Sequence, residues 1–285
     1  YYHRAAETRF PLPESMDLLL TLRNYRVFIS CCIPRKKKSK AQIVELENQV
    51  KIIRASLGGA YIPTRVMDGA ALVELMREVI NPDPGEMYHK PYKLDPYQDL
   101  NYQCVEDSFD MKVTAGHLKI GRLGHNGKET VTRVTSYHLE RDPEIAFLWT
   151  SADNYANLLS PELSISCPFV ITLTLMVEDQ VKTQNEANLK FMDLEKKSKT
   201  SYAKYFPSVE KEVKEWGDIR QRLATNQTSL VSYFFNITTY TQDNVEASLT
   251  TEQQVLNSFR KGGFQLIPAR YHHLRNFLAM LPFKS

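Results

Sequence analysis

Residues Gly262–Ser285 read GGFQLIPARYHHLRNFLAMLPFKS. Gly262-Gly263 ends whatever helix precedes it, and Phe264 to Ile267 is a short run of strand formers. Tyr271 to Leu281 then carries apolar residues at helical spacing until Leu-Pro-Phe stops it. Working back from this strand and helix, Asn244 to Lys261 is a helix introduced by Thr241 and Asp243. Leu230 to Tyr240 (LVSYFFNITTY) is a strand. Before it lie two long polar helices, Lys182 to Phe206 and Ser208 to Thr225, separated or kinked at Pro207. The second carries Val209, Val213, Trp216, Ile219 or Arg220, and Leu223, a narrow stripe at spacings of three and four that suits an antiparallel helix pair. Cys167 to Val177 (CPFVITLTLMV) reads as the clearest buried strand in the chain.

The first half has the same mixed character. Tyr25 to Ile33 (YRVFISCCI) reads as a buried strand closed by Pro34, followed by a basic loop, Arg35 to Lys40. Ala41 to Leu57 is a helix with Ile43, Leu46, Val50, Ile53 and Leu57 on one face, ended by Gly58-Gly59. Asp68 to Ile80 is a second helix, with Leu72, Leu75, Met76 and Val79 directed inward. Residues 81–103 are rich in proline and tyrosine (Tyr88, Tyr92, Tyr97, Tyr102) and read as an irregular candidate docking surface. From Phe109 to Leu139 the pattern is β, with a hairpin turn at Asn126-Gly127. Pro143 to Leu159 is helical in parts, with Trp149 and Tyr155 as large core or interface candidates. The expected fold class is α+β: mixed or antiparallel sheets with flanking helices, ferredoxin-like units among them, and a long helical hairpin. Two subdomains are expected, residues 1–165 and 166–285.

Composition narrows the chemistry. A net charge of +3 with 24% charged residues gives no basic excess of the kind nucleic-acid proteins show. The four cysteines, Cys31, Cys32, Cys104 and Cys167, have neither metal-ligand spacing nor the density of a disulfide framework, and buried reduced thiols are expected. The stretch nearest to a phosphate-binding loop is Gly121–Thr130, GRLGHNGKET; its glycine spacing is one residue too long, and Glu129 stands where a magnesium-binding hydroxyl belongs. His272-His273 and the scattered histidines form no zinc pattern, and no nucleophile motif is present. Met16 to Ile33 is apolar but carries Asp17, Arg23 and Arg26, unlike a membrane span. No catalytic, cofactor or metal residue is therefore assigned. Two candidate contact sites remain. Arg35, Lys36, Lys37, Lys38 and Lys40 form a polybasic cluster suited to an anionic membrane surface or another anion. Tyr202, Tyr205, Val209, Val213 and Trp216 on the polar helix pair are candidates for a partner interface.

Arg260-Lys-Gly-Gly-Phe-Gln-Leu266, Phe277-Leu-Ala-Met-Leu-Pro-Phe283 and Cys167-Pro-Phe-Val-Ile-Thr-Leu173 together carry a resemblance. In their order and spacing they resemble the N-terminal domain of the TraC family, the assembly ATPases of conjugative type IV secretion that build the pilus. The resemblance implies a large protein, often hexameric, in the bacterial cytoplasm and peripheral to the inner membrane. It implies ATP and Mg²⁺ bound by a motor domain that follows this segment, and partners among the inner-membrane secretion components. Tyr1 at the start and the apolar helix just before Ser285 lead to the same expectation, that the chain is part of a longer protein. A docking and assembly role is expected, with a nucleic-acid or substrate-handling module of the same system as the alternative.

Overall fold

The computed structural model describes residues 7–9, 19–21, 26–32, 40–82, 93–106, 108–123, 129–143, 164–225 and 228–281. Contacts gather the chain into two compact units, one of Tyr1–Ile171 with Asn236–Ser285 and one of Thr172–Phe235, so the second is inserted in the sequence of the first.

The first unit is built on an antiparallel sheet. Strands β3 (Phe109–Val113), β4 (Leu118–Leu123) and β5 (Glu129–Arg141) form a meander. The β4–β5 register closes at Leu123 opposite Glu129, which is the hairpin expected from Asn126-Gly127, although the turn itself lies outside the described residues. On the other side of β5 lies β7 (Val231–Gln242), and β6 (Phe169–Val177) follows it, giving the order β3-β4-β5-β7-β6. Past the end of β4, β8 (Gln265–Pro268) takes its place beside β5, pairing with Tyr137 to Arg141. A separate two-stranded pair, β1 (Glu7–Arg9) with β2 (Leu19–Thr21), is also antiparallel.

Helices cover this sheet. In α2 (Gly69–Ile80), the Asp68 carboxylate accepts a hydrogen bond from the Ala71 N–H at 2.8 Å, satisfying one of the four free donors of the first turn. Val79 joins Leu118, Ile120, Val134, Tyr240, Phe277, Met280 and Leu281 in the core, with Leu75 and Met76 packed against it. The Tyr240 hydroxyl donates to the Val79 carbonyl at 3.2 Å, joining helix and sheet. The short α3 (Leu100–Cys104) is fixed to α2 by Asn81, whose amide donates to the Cys104 carbonyl at 2.8 Å. Helix α7 (Val245–Lys261) is capped by Asn244, and α8 (His273–Ala279) contributes the buried Phe277. Helix α1 (Lys40–Gly59) forms as its periodicity predicts.

Two sequence expectations are corrected here. Residues 26–32 carry no strand, and Val27 is 86% exposed, with Phe28, Ile29 and Cys32 exposed as well. Strand-forming composition makes a strand only where a neighbour completes the ladder, and among the described residues none pairs with this run. Arg26 instead reaches Glu78 and lies over the Phe28 ring. The cysteines are all free, but only Cys104 is buried; Cys31 and Cys167 are half-buried.

The second unit holds a helical hairpin, α4 (Gln180–Ser198), α5 (Tyr202–Tyr205) and α6 (Ser208–Ala224). The first long helix ends at Ser198 instead of continuing to Phe206. The Lys199 and Thr200 N–H groups turn to carbonyls three residues back, and the Ser198 and Thr200 hydroxyls donate to the Glu195 and Lys197 carbonyls, each at 2.8 Å, so the helical ladder tightens and ends here.

Candidate functional site

Two places in the structure concentrate polar or apolar groups that need explaining. The first is inside the sheet of the first unit. The Ser136 hydroxyl meets the Thr238 hydroxyl at 3.1 Å, and the Asn236 amide donates to Thr238 Oγ1 at 3.1 Å. The Ser136 N–H donates to His273 Nδ1 at 3.2 Å. Serine beside histidine invites a catalytic reading, but Ser136 and Asn236 are fully buried and His273 is 1% exposed. No substrate reaches a sealed strand centre, and the contact runs from the serine backbone and not from its hydroxyl. The histidine is therefore structural. Burial, with His117 and Arg133 close by, pushes its pKa down to about 4, so the imidazole is neutral at pH 7. His117 is lowered too, by burial first and then by Arg133 and Lys119.

Gly121 lies in β4 and Glu129-Thr130 in β5, so this glycine-rich segment is the flank of a hairpin and not a loop feeding a helix. A Cβ on Gly121 would come within 2.9 Å of Glu129 Oε1, which places the carboxylate over the glycine. An open depression of about 510 Å³ lies beside the start of α7, lined by Ser166, Pro168, Tyr240, Asn244, Thr250 and Thr251 among others. Asn244 already accepts from the Glu246 N–H, and the Glu246 carboxylate sits in the helix's first turn, so this is no anion cradle.

The second place is the surface of the second unit. Helices α4 and α6 hide their stripe against each other: Ala187, Leu194, Val209 and Leu223 are buried in the seam. Gln184 donates to the Leu223 carbonyl at 2.8 Å, joining the start of α4 to the end of α6. Phe191 lies under the Arg220 guanidinium at 4.1 Å, and Gly217 leaves room for its ring. Surface pairs Lys197–Asp193 and Lys199–Glu195, both at 2.7 Å, hold those two carboxyls below their usual pKa range, chiefly through the lysine hydrogen bonds. On the opposite face of α4, Val181, Leu189 and Met192 are exposed, and Tyr205 and Phe206 are exposed beyond the bend.

The parts of β6 and β7 that fall in this unit, residues 172–177 and 231–235, are barer still. The Glu178 N–H donates to the Leu230 carbonyl at 3.1 Å and the Tyr240 N–H to the Pro168 carbonyl at 3.0 Å. Both bonds belong to one antiparallel register, which sets Leu175 opposite Tyr233 and Val177 opposite Val231 on a shared face. Leu173, Leu175, Val177, Val231 and Tyr233 are all exposed, as is Met176 on the other face. The expectation of a deeply buried strand at Cys167 to Val177 is therefore overturned for its C-terminal half.

The candidate contact residues divide as follows. Arg35, Lys36, Lys37 and Lys38 lie outside the described residues, and Lys40 opens α1 with its side chain outside them. Tyr202 opens α5, its side chain likewise not described. Tyr205 is exposed, Val213 and Trp216 are half-buried, and Val209 is occupied in the hairpin seam. Tyr97 and Tyr102 are exposed, as expected of the tyrosine-rich segment, whereas Tyr88, Tyr92, Trp149 and Tyr155 lie outside the described residues. Leu189, Met192 and the β6–β7 face were missed as contact residues. Their signal was an apolar residue off the hairpin stripe in α4, and an uncharged strand next to the most polar segment of the chain. Among the described residues no helix is long and apolar enough to cross a membrane.

Comparison with known proteins agrees with the resemblance read from the sequence. The sequence pattern of the family described as TraC protein matches residues 1–285. Protein TraC of Escherichia coli (strain K12) is 64% identical over 285 residues, which is 100% of this chain and 32% of that relative, so the chain spans about a third of the curated relative's length. On this match the chain belongs to the TraC family.

Proposed function

We propose that this chain is the docking and assembly part of a conjugative type IV secretion ATPase. In this reading it binds neighbouring subunits and components at the cytoplasmic face of the bacterial inner membrane. ATP hydrolysis, with Mg²⁺, belongs to the remaining length of such proteins. The observation that carries the reading is the bare surface of the second unit, where Leu175, Val177, Leu189, Met192, Tyr205 and Tyr233 are all exposed. Scattered apolar residues on a surface need no explanation, but large apolar side chains concentrated on two surfaces of one small insertion, the ribbon and the outer side of the helical hairpin, favour cover by another protein. Leu189→Lys with Met192→Lys changes only exposed positions. In donor cells producing the full-length protein with these changes, we expect normal abundance, loss of co-fractionation with the envelope machinery, and loss of pilus formation. Wild-type co-fractionation and piliation would refute the docking reading.

A further inference from the structure

We propose that the apolar face of the β6–β7 ribbon packs against the same face of a second copy of this chain. The proposal rests on the docking reading above and names the occupant of one part of that surface. Five side chains form the face: Leu173 (57% exposed), Leu175 (63%), Val177 (69%), Val231 (44%) and Tyr233 (48%). No charged residue interrupts it. The alternation of exposed Leu173, half-buried Thr174 and exposed Leu175 is that of a strand with one face meant for a core. At these exposures about half or more of each of these residues stays open to solvent.

Area and charge choose the occupant. At these exposures the five residues present roughly 500 Å², backbone and the tyrosine hydroxyl included, well within the size of the largest patch a monomer leaves bare. Two such faces brought together remove about 1,000 Å² before any rim is counted, which is the threshold of a biological interface and the size of a weak, reversible dimer. Two twisted two-stranded ribbons stack about 10 Å apart, as the sheets of a sandwich do. The strip ends in Glu178 and Asp179, which an anionic lipid surface repels, and its uncharged centre offers nothing to a strongly charged partner. An identical face meets no like charge: a twofold axis at Leu175 points the two acidic ends in opposite directions.

Strand parity gives the test its specificity. Met176 is 57% exposed and adjacent to Leu175, yet it points to the other face of the ribbon. Sedimentation equilibrium of the wild-type chain is expected to show a reversible monomer–dimer equilibrium. Leu175→Lys is expected to weaken it by at least about a hundredfold, from two buried ammonium groups facing each other across the axis, and Met176→Lys to leave it unchanged. Circular dichroism should show all three equally folded, since both positions are exposed. A wild-type chain that stays monomeric, equal effects of the two lysines, or recruitment of the ribbon to anionic vesicles would each overturn the proposal. Loss of envelope association by the α4 double variant, alongside a monomeric wild type, would overturn this proposal while leaving the docking reading standing.

Discussion

His273 makes the stability of the first unit depend on pH, and the sign follows from its burial. In the unfolded chain an imidazole titrates near its ordinary 6.5, whereas in the fold burial and the nearby His117 and Arg133 push it down to about 4. Between these values the unfolded state binds the proton and the folded state does not. The contribution is therefore fully present above pH 6.5 and is lost as pH falls towards 4. A shift of this size is worth about 3 kcal/mol, a large share of the stability of an ordinary domain. His117, lowered by the same burial, adds to the loss with the same sign. His273→Asn removes the titration while keeping an acceptor near Nδ1 for the Ser136 N–H, which now bonds at 3.2 Å. We expect the variant to lose about 1–2 kcal/mol at pH 7.5 from the cavity it leaves. Its urea midpoint should then fall much less than wild type between pH 7.5 and 4.5. Exchange of the Ser136 amide, measured across the same range, ties the effect to this site. His272→Asn, at an exposed neighbour that is the weakest of the groups lowering His273, should change the slope far less than His273→Asn does. If His273→Asn shows the same pH slope as wild type, the buried neutral imidazole is not the source and the reasoning fails.

Other outcomes follow from particular contacts. Tyr240→Phe leaves the buried Val79 carbonyl without its hydroxyl donor and should cost about 1–3 kcal/mol in chemical denaturation, with no change in far-ultraviolet dichroism. Leu223→Ala empties a fully buried position in the hairpin seam and should cost about 2–5 kcal/mol, read as faster amide exchange in α4 and α6 but not in β5. Gly217→Leu drives a side chain into the Phe191 ring, which already lies 3.3 Å from where a Cβ would be built. It should open the same seam at a cost of about 1–3 kcal/mol, whereas Leu189→Ala on the outer face of α4 should change stability by less than about 0.5 kcal/mol.

Features encoded over a few residues were legible in the sequence. The helix start at Asp68, the hairpin at Asn126-Gly127 and the seam running from Val209 to Leu223 were all marked this way. The run at 26–32 failed because composition reports strand propensity and not the presence of a pairing neighbour. The end at Ser198 combines backbone bonds shifted to carbonyls three residues back with hydroxyls on the neighbouring carbonyls, and an apolar stripe does not reveal either. Leu175 was misread for a more instructive reason. A strand face made for a core within the chain and one made for another chain carry the same alternation, so the pattern states that the face is covered without stating by what. The buried network was illegible because Ser136 and His273 meet only through the tertiary fold. Its faint signal was Asn236 inside an otherwise strand-forming, apolar run.

The central claim is that the second unit is where this chain meets other proteins. Hydrogen exchange of the full-length protein, compared between its free state and its state in isolated envelope secretion complexes, tests it most directly. The account predicts new protection at Leu173–Val177, Leu189–Met192 and Val231–Tyr233, with the already buried Val134–Tyr137 unchanged. Protection confined to the first unit, with the ribbon and the outer face of α4 exchanging as in the free protein, would contradict it.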